Sequence, residues 1–302
     1  MNKIYLSTSK GSNIATYIYD DVINPKAVVQ IVHGAAEHFT RYEEFIDYLN
    51  ENGYIALGCD ILGHGDSCHS DQNIIYFEEK EAYESVVLVK NYAERTFPSL
   101  PLYIFGHSMG SLITRKLLID YPKSYTKAIL SGSTTMSPCI TTFGRFLGTI
   151  VRIFRGKKKF SPFLSNLSFG DVNKLMIKKG LLHEGEMWLT HDPVIADYYK
   201  NSPICGENIS IEAQRAIYYW SDYCFKKKNI KKGNQIIPIL LIAGSEDPIS
   251  YYGENIKVTT ELYKKCNYEF IESIVYDNFR HEVINEIGRE KVYKDCLNFF
   301  NK

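Results

Sequence analysis

Gly106-His107-Ser108-Met109-Gly110 sets a serine between two glycines, each two residues away. The apolar run Leu102-Tyr103-Ile104-Phe105 precedes it, and a helical pattern from Met109 to about Tyr121 follows. A serine on a sharp strand-to-helix turn needs small neighbours at those two positions, and it then projects its hydroxyl above a sheet. The chemistry on offer is nucleophilic attack on an acyl carbon. A hydroxyl is a poor nucleophile by itself and needs a base, oriented in turn by an acid. On such an elbow the acid and then the histidine follow the serine in the chain. Leu240-Leu241-Ile242-Ala243-Gly244-Ser245-Glu246-Asp247-Pro248 reads as an apolar strand ending in a polar turn. That puts a carboxylate at the C-terminal edge of a sheet, where open α/β sheets bind ligands. Asp247 is the candidate acid, with Glu246 as its local competitor. Of eight histidines only His281 lies downstream of Asp247, which makes it the candidate base.

Acyl transfer also needs donors for the negative charge that develops on the carbonyl oxygen. The amide of Met109, directly after the serine, is one candidate. The turn His33-Gly34-Ala35-Ala36 supplies exposed amides after an early apolar run, and Ala35 is assigned as the other. His33, His38 and His64 belong to turns and are expected to hold loops by hydrogen bonds, while His107 should point into packing. His69, His183 and His191 carry no usable pattern. His281-Glu282-Val283-Ile284-Asn285 begins like H-E-x-x-H but lacks the second histidine, and both glycine-rich phosphate-binding patterns are missing. No metal and no cofactor is expected.

Six motifs occur in order: His33-Gly34-Ala35-Ala36-Glu37-His38, Arg41-Tyr42, Asp60-Ile61-Leu62-Gly63-His64-Gly65-Asp66-Ser67, the serine pentapeptide, Gly244-Ser245-Glu246-Asp247-Pro248, and Arg280-His281-Glu282. Together they resemble the monoacylglycerol lipase and lysophospholipase group of α/β-hydrolases, the serine aminopeptidase S33 domain group, over residues 27 to 290 or so. The resemblance implies Ser108 as nucleophile with Asp247 and His281 as partners, and the Ala35 and Met109 amides as oxyanion hole. It also implies hydrolysis of a small lipid-like ester, a monoacylglycerol or lysophospholipid. Ala36 and Ser111 stand where the group often has glycine, which bears on pocket fit more than on catalysis. Rival readings are a general carboxylesterase and an aminopeptidase, which would need a carboxylate cluster for the substrate's ammonium. A non-catalytic ligand-binding receptor is the rival from outside enzymology.

The elements that must position these residues alternate in type. Ala27–Val32, Tyr54–Leu57, Leu102–Phe105, Lys127–Leu130 and Ile236–Ala243 are apolar strands, separated by helical patterns at Tyr42–Leu49, Glu78–Ala93 and from Met109 on. Strands apolar on both faces and separated by helices predict a mostly parallel sheet covered on both sides. Ile4–Leu6 and Ala15–Tyr19 should form an antiparallel hairpin at its edge. The segment 134–235 lacks strand signals, contains short helical patterns, and reads as a helical cap inserted into a core of residues 1–133 and 236–302. Cap residues are suspected of shaping the substrate site.

Composition narrows the rest. With 302 residues the chain can bury roughly three quarters of its unfolded surface. Thirty-five basic and thirty-five acidic residues cancel, which speaks against a nucleic-acid binder. The balance is uneven: residues 134–235 hold 16 Lys and Arg against 8 Asp and Glu, a surplus of 8, and the remainder carries the matching deficit. One helical face there gathers Phe143, Phe146, Leu147, Ile150, Val151 and Phe154, opposite Arg145, Arg152 and Arg155, and runs into Lys157-Lys158-Lys159. That pattern suits either a helix resting on an anionic membrane or a helix packed on its own core. The start of the chain turns polar too early for a signal peptide, no apolar run reaches membrane-spanning length, and the seven cysteines form no disulfide spacing. The expected compartment is cytoplasmic.

Overall fold

The structure, a computed structural model, describes residues 1–68, 74–134, 136, 138–169, 172–183 and 185–302. In chain order the strands are β1 (Asn2–Ser7), β2 (Asn13–Tyr19), β3 (Ala27–Val32), β4 (Tyr54–Cys59), β5 (Ile74–Ile75), β6 (Leu102–His107), β7 (Lys127–Ser131), β8 (Asn208–Ile209), β9 (Ile239–Gly244) and β10 (Ile271–Tyr276). Eight of them form one sheet in the order β1-β2-β4-β3-β6-β7-β9-β10. β1 and β2 make the expected antiparallel edge hairpin, β2 meets β4 antiparallel, and every later pairing is parallel.

The strands β3, β4 and β9 are buried along their whole length, as a sheet covered on both faces requires. Successive residues divide between two cores, because side chains alternate across a strand. Val28, Ile104, Leu130 and Leu241 face one core, while Val29, Phe105, Ile129 and Leu240 face the other. The first core is covered by α2 (Glu79–Thr96), α3 (Met109–Asp120) and α10 (Glu254–Lys264), the second by α1 (Glu43–Glu51) and α11 (Glu290–Asn301). This layering leaves the C-terminal ends of β3, β6, β7 and β9 at one rim, and the candidate residues follow those ends.

Between β7 and β9 lie α4 (Pro138–Arg155), α5 (Pro162–Phe169), α6 (Val172–Lys178), α7 (Pro193–Asn201), α8 (Ile211–Phe225) and α9 (Lys227–Ile230). This stretch contains one strand that sequence reasoning did not expect. β8 pairs in parallel with β5 over two residues, too short a run for any alternation to show. The packing of α4 separates the two readings of its phenylalanine face. The helix packs on α8 through small residues: Thr141, Gly144 and Gly148 are buried, with the Tyr218 ring beside Gly144 and the Arg215 stem beside Gly148. Arg145 and Arg152 turn toward Asp222 and Glu212 of α8 at 3.6 and 3.1 Å. The phenylalanine face therefore points outward, with Phe143 54% and Phe154 82% exposed. Among the described residues, no helix is long and apolar enough to cross a membrane.

Candidate active site

The turn between β6 and α3 is as tight as the pentapeptide demands. A Cβ at Gly106 would lie 2.2 Å from Thr114 Oγ1, and one at Gly110 would lie 2.2 Å from the Val32 carbonyl oxygen. Only glycine fits at either position. Between them Ser108 adopts φ +50°, ψ −119°, a conformation that costs a non-glycine residue about 1–3 kcal/mol. Backbone hydrogen bonds hold it there, from Ser108 N–H to the Ser131 carbonyl at 2.9 Å and from Ser111 N–H to the Ser108 carbonyl at 3.0 Å. Ser111, one of the two departures noted above, adds its hydroxyl to that same carbonyl at 2.6 Å.

The turn after β9 delivers Asp247 and the loop after β10 delivers His281. Their side chains meet at 2.9 Å, His281 Nδ1 to Asp247 Oδ1, with both essentially out of solvent. Asp247 Oδ1 also accepts the Ile249 N–H at 2.8 Å. Glu246 is carried elsewhere, 3.2 Å from His191 Nε2, so geometry separates the two sequence candidates. The imidazole of His281 packs between His107 and Trp188, with ring centroids 4.7 and 5.1 Å away. Burial alone would depress its pKa. The Asp247 carboxylate, by charge and hydrogen bond, outweighs that and holds the pKa above the ordinary histidine value. His107 carries no such partner, and burial pushes it well below that value, so the neighbouring ring stays neutral.

The turn after β3 closes the other side. A Cβ at Gly34 would come within 3.2 Å of Ser108 Cβ, which shows how closely this backbone approaches the elbow. Gly34 N–H is fixed by Glu37 Oε1 at 2.5 Å. Ala36, the second departure from the motif, takes φ +58°, and its carbonyl accepts the Gly206 N–H at 2.9 Å. Ala35, between them, lies on the cavity wall. His33 binds the Ile61 N–H through Nε2 at 2.8 Å, and both it and His64 are depressed by burial to about 3. Their framework role matches the expectation. His69 lies outside the described residues.

Ser108, His281 and Ala35 line one cavity of about 250 Å³, together with Trp188, Leu189, Tyr199, Ile209 and Ile249. Apart from Ile249, these apolar walls come from the segment between β7 and β9, which no sequence motif marked. Glu37, Arg41 and Glu282, quoted above only as parts of motifs, form a buried cluster whose two carboxyl residues reach the cavity wall. The (i, i+4) spacing of Glu37 and Arg41 was a local signal for half of that cluster. Glu282, 241 positions from Arg41, gave none.

A mainly parallel eight-stranded sheet with helices on both faces, an antiparallel edge and a strained serine elbow after a central strand define an α/β-hydrolase. The family model described as Serine aminopeptidase, S33 matches residues 23–288, and the chain belongs to that family. It is similar to the monoacylglycerol lipase of Mycolicibacterium smegmatis, at 28% identity over 96% of this chain and 93% of that one. It is 34% identical to the monoglyceride lipase homolog of Monkeypox virus over 130 residues; that match spans 41% of this chain and less than half, 44%, of the viral protein. A thermostable carboxyl esterase from Bacillus coagulans, solved with glycerol, superposes with a TM-score of 0.88 at 24% identity, covering 99% of this chain and 97% of its own.

Proposed function

We propose that this chain is a serine hydrolase that cleaves carboxylic esters through an acyl-serine intermediate, with a monoacylglycerol or lysophospholipid as favoured substrate. The observation that carries the reading is the buried His281–Asp247 hydrogen bond of 2.9 Å on the wall of the cavity that also takes in Ser108. In this mechanism Ser108 Oγ attacks the ester carbonyl while His281 Nε2 takes the hydroxyl proton. Asp247 holds the Nδ1 tautomer and stabilises the imidazolium that forms. The oxyanion collects donors from the Ala35 and Met109 amides, and loss of one such donor costs on the order of 10²–10³ in rate. Collapse expels the alcohol with the proton from His281. Water, deprotonated by the same imidazole, then releases the acid.

The apolar cavity and the similarity to monoacylglycerol lipases support a lipid-like acyl group. An aminopeptidase would need a carboxylate for the substrate's ammonium. Among the described residues the two that reach this cavity, Glu37 and Glu282, are already paired with Arg41, which favours the esterase reading. The experiment is a panel of monoacylglycerols, lysophospholipids, short nitrophenyl esters and aminoacyl amides, compared by kcat/KM in the wild type and Ser108→Ala. Turnover of esters that disappears in the folded variant supports the reading; full activity in Ser108→Ala, or preference for the amides, overturns it.

Residues 134–235 serve, in this reading, as a cap over the site, and α4 as its membrane-facing element. Phe143, Phe146, Ile150, Ile153 and Phe154 present an apolar face to solvent, and Arg155, Lys158 and Lys159 follow at its C-terminal end. A peripheral protein of the cytoplasm would use this pair of features on an anionic bilayer, each basic residue near the surface contributing about 1 kcal/mol. Cosedimentation with anionic but not neutral vesicles at low salt, lost in Phe146→Ser/Phe154→Ser, supports it; no binding at any salt refutes it.

A further inference from the structure

Two carboxyl side chains at the cavity wall grip one guanidinium behind them, out of solvent. Arg41 Nη1 is 2.6 Å from Glu37 Oε2 and 2.7 Å from Glu282 Oε1, while Nη2 is 2.6 Å from Glu282 Oε2. The guanidinium side chain is 2% exposed and both carboxylates 3%. Stability is a weak reason for such a cluster, because the cost of desolvating charges commonly cancels their attraction and apolar packing would serve as well. Geometry supplies a better one. A guanidinium is a rigid planar fork that fixes the distance and angle between the carboxylates it grips.

Each carboxylate belongs to a different half of the site. Glu37 Oε1 accepts the Gly34 N–H at 2.5 Å and the Tyr42 hydroxyl at 2.9 Å, and so fixes the backbone one residue before Ala35. Glu282 directly follows His281. Its backbone N–H donates to the Leu189 carbonyl at 2.8 Å, and its Oε2 accepts Asn285 Nδ2 at 3.1 Å. The ring of Tyr199, from α7, covers the guanidinium at 4.9 Å. The turn after β3 and the loop after β10 are thus joined by side chains where no strand pairing joins them.

We propose that Arg41 is a positioning residue: by holding Glu37 and Glu282 in one fork it registers the Ala35 amide against the His281 imidazole, so that oxyanion donor and general base converge on the same acyl carbon at Ser108. The proposal rests on the serine-hydrolase reading above. A bare structural role would lower stability and leave turnover of the folded enzyme alone. A positioning role lowers kcat in folded protein and leaves KM nearly unchanged, because misplacing a catalytic group by a fraction of an ångström acts on the transition state.

The test measures kcat, KM and thermal melts for Arg41→Lys, Glu37→Gln, Glu282→Gln and the double variant Glu37→Gln/Glu282→Gln on a short nitrophenyl ester, beside Ser108→Ala. Folded single variants are expected to lose about tenfold or more in kcat with KM within about twofold. The double variant should lose little more than the worse single, since both changes break the same link. Should Arg41→Lys fail to fold, the two near-isosteric glutamine variants carry the test. A kcat within about twofold of wild type in both of them, or losses confined to KM, overturns the positioning role. Full activity in Ser108→Ala overturns the serine-hydrolase reading and this proposal with it, a result distinct from the other.

Discussion

Gly132, one residue past β7, backs directly onto the candidate base, and replacing it with alanine presses on His281 most closely, with His107 Cε1 next at 3.2 Å. Its φ is +55°, and its N–H is tied to the Ile242 carbonyl at 2.9 Å, so the backbone cannot relax freely. A Cβ there would sit 2.9 Å from His281 Cε1 and 3.1 Å from Nδ1, where ordinary contact begins near 3.4 Å. The ring must move by about half an ångström, and the Asp247 hydrogen bond and the Trp188 ring restrict where it goes. A displacement of 1 Å costs about 10² in rate, so half of that predicts a loss of about tenfold in kcat. Backbone strain adds about 1–2 kcal/mol. With an unfolding entropy of about 2.1 cal/mol/K per residue, the melting temperature should fall by about 2–3 °C. Gly11→Ala is the matched control: its φ is +86°, but no atom lies within 4 Å of the added carbon. It should lower the melting temperature comparably and leave kcat on a nitrophenyl ester unchanged. If Gly132→Ala kept wild-type kcat, the claim that this imidazole works from its present position would fail.

Three further outcomes follow from the same geometry. Asp247→Asn should lower kcat by on the order of 10³–10⁴. Because the base must be neutral and its pKa is raised, the acid limb of wild-type kcat/KM should lie above about 6.5; in Asp247→Asn it should move down, and an unmoved limb would assign it to another group. Stability against pH combines two signs. The raised His281 contributes stability that is complete below about pH 6.5 and fades as pH rises through its folded value. His33 and His64, at about 3, work the other way, since the unfolded chain takes up protons that the folded one refuses. His38 and His107 are depressed by burial as well, so four depressed histidines against one raised predict melting temperatures that decline from pH 6.5 toward 3, and His64→Asn should flatten part of the decline. An equal slope in the variant refutes that attribution. Finally, Ala36→Gly relieves a φ of +58° and should raise the melting temperature by about 1–2 °C with activity retained, whereas a fall would show that the alanine side chain contributes packing that outweighs its strain.

The central strands were legible in the sequence because they are buried on both faces and so write apolar runs such as Ile239-Leu240-Leu241-Ile242-Ala243. The elbow was legible because steric necessity at Gly106 and Gly110 leaves a fixed spacing in the sequence. The pairing of His281 with Asp247 could be inferred from chain order alone, and the choice between Asp247 and Glu246 needed coordinates. The cap segment was suspected of supplying the cavity walls, but its individual wall residues escaped notice for a physical reason. Trp188, Tyr199 and Ile209 come from irregular connections and short elements, where neither helical nor strand periodicity constrains which residues turn inward. The direction of α4 was left open for a related reason. Its phenylalanine face suited a membrane surface or a core equally, and the stripe of Thr141, Gly144 and Gly148, which allows a closer approach to α8, takes the interior place. The Glu37–Arg41–Glu282 cluster joins residues 241 positions apart, a distance over which local pattern carries no information.

The central claim is that Ser108 accepts an acyl group with His281 as its base. The most direct measurement is mass spectrometry of peptides from protein treated with a fluorophosphonate, which phosphonylates only an activated serine hydroxyl. One adduct is expected, on the peptide bearing Ser108, formed in the wild type and lost in His281→Ala. Labelling of a different serine, or undiminished labelling of Ser108 in His281→Ala, would contradict it.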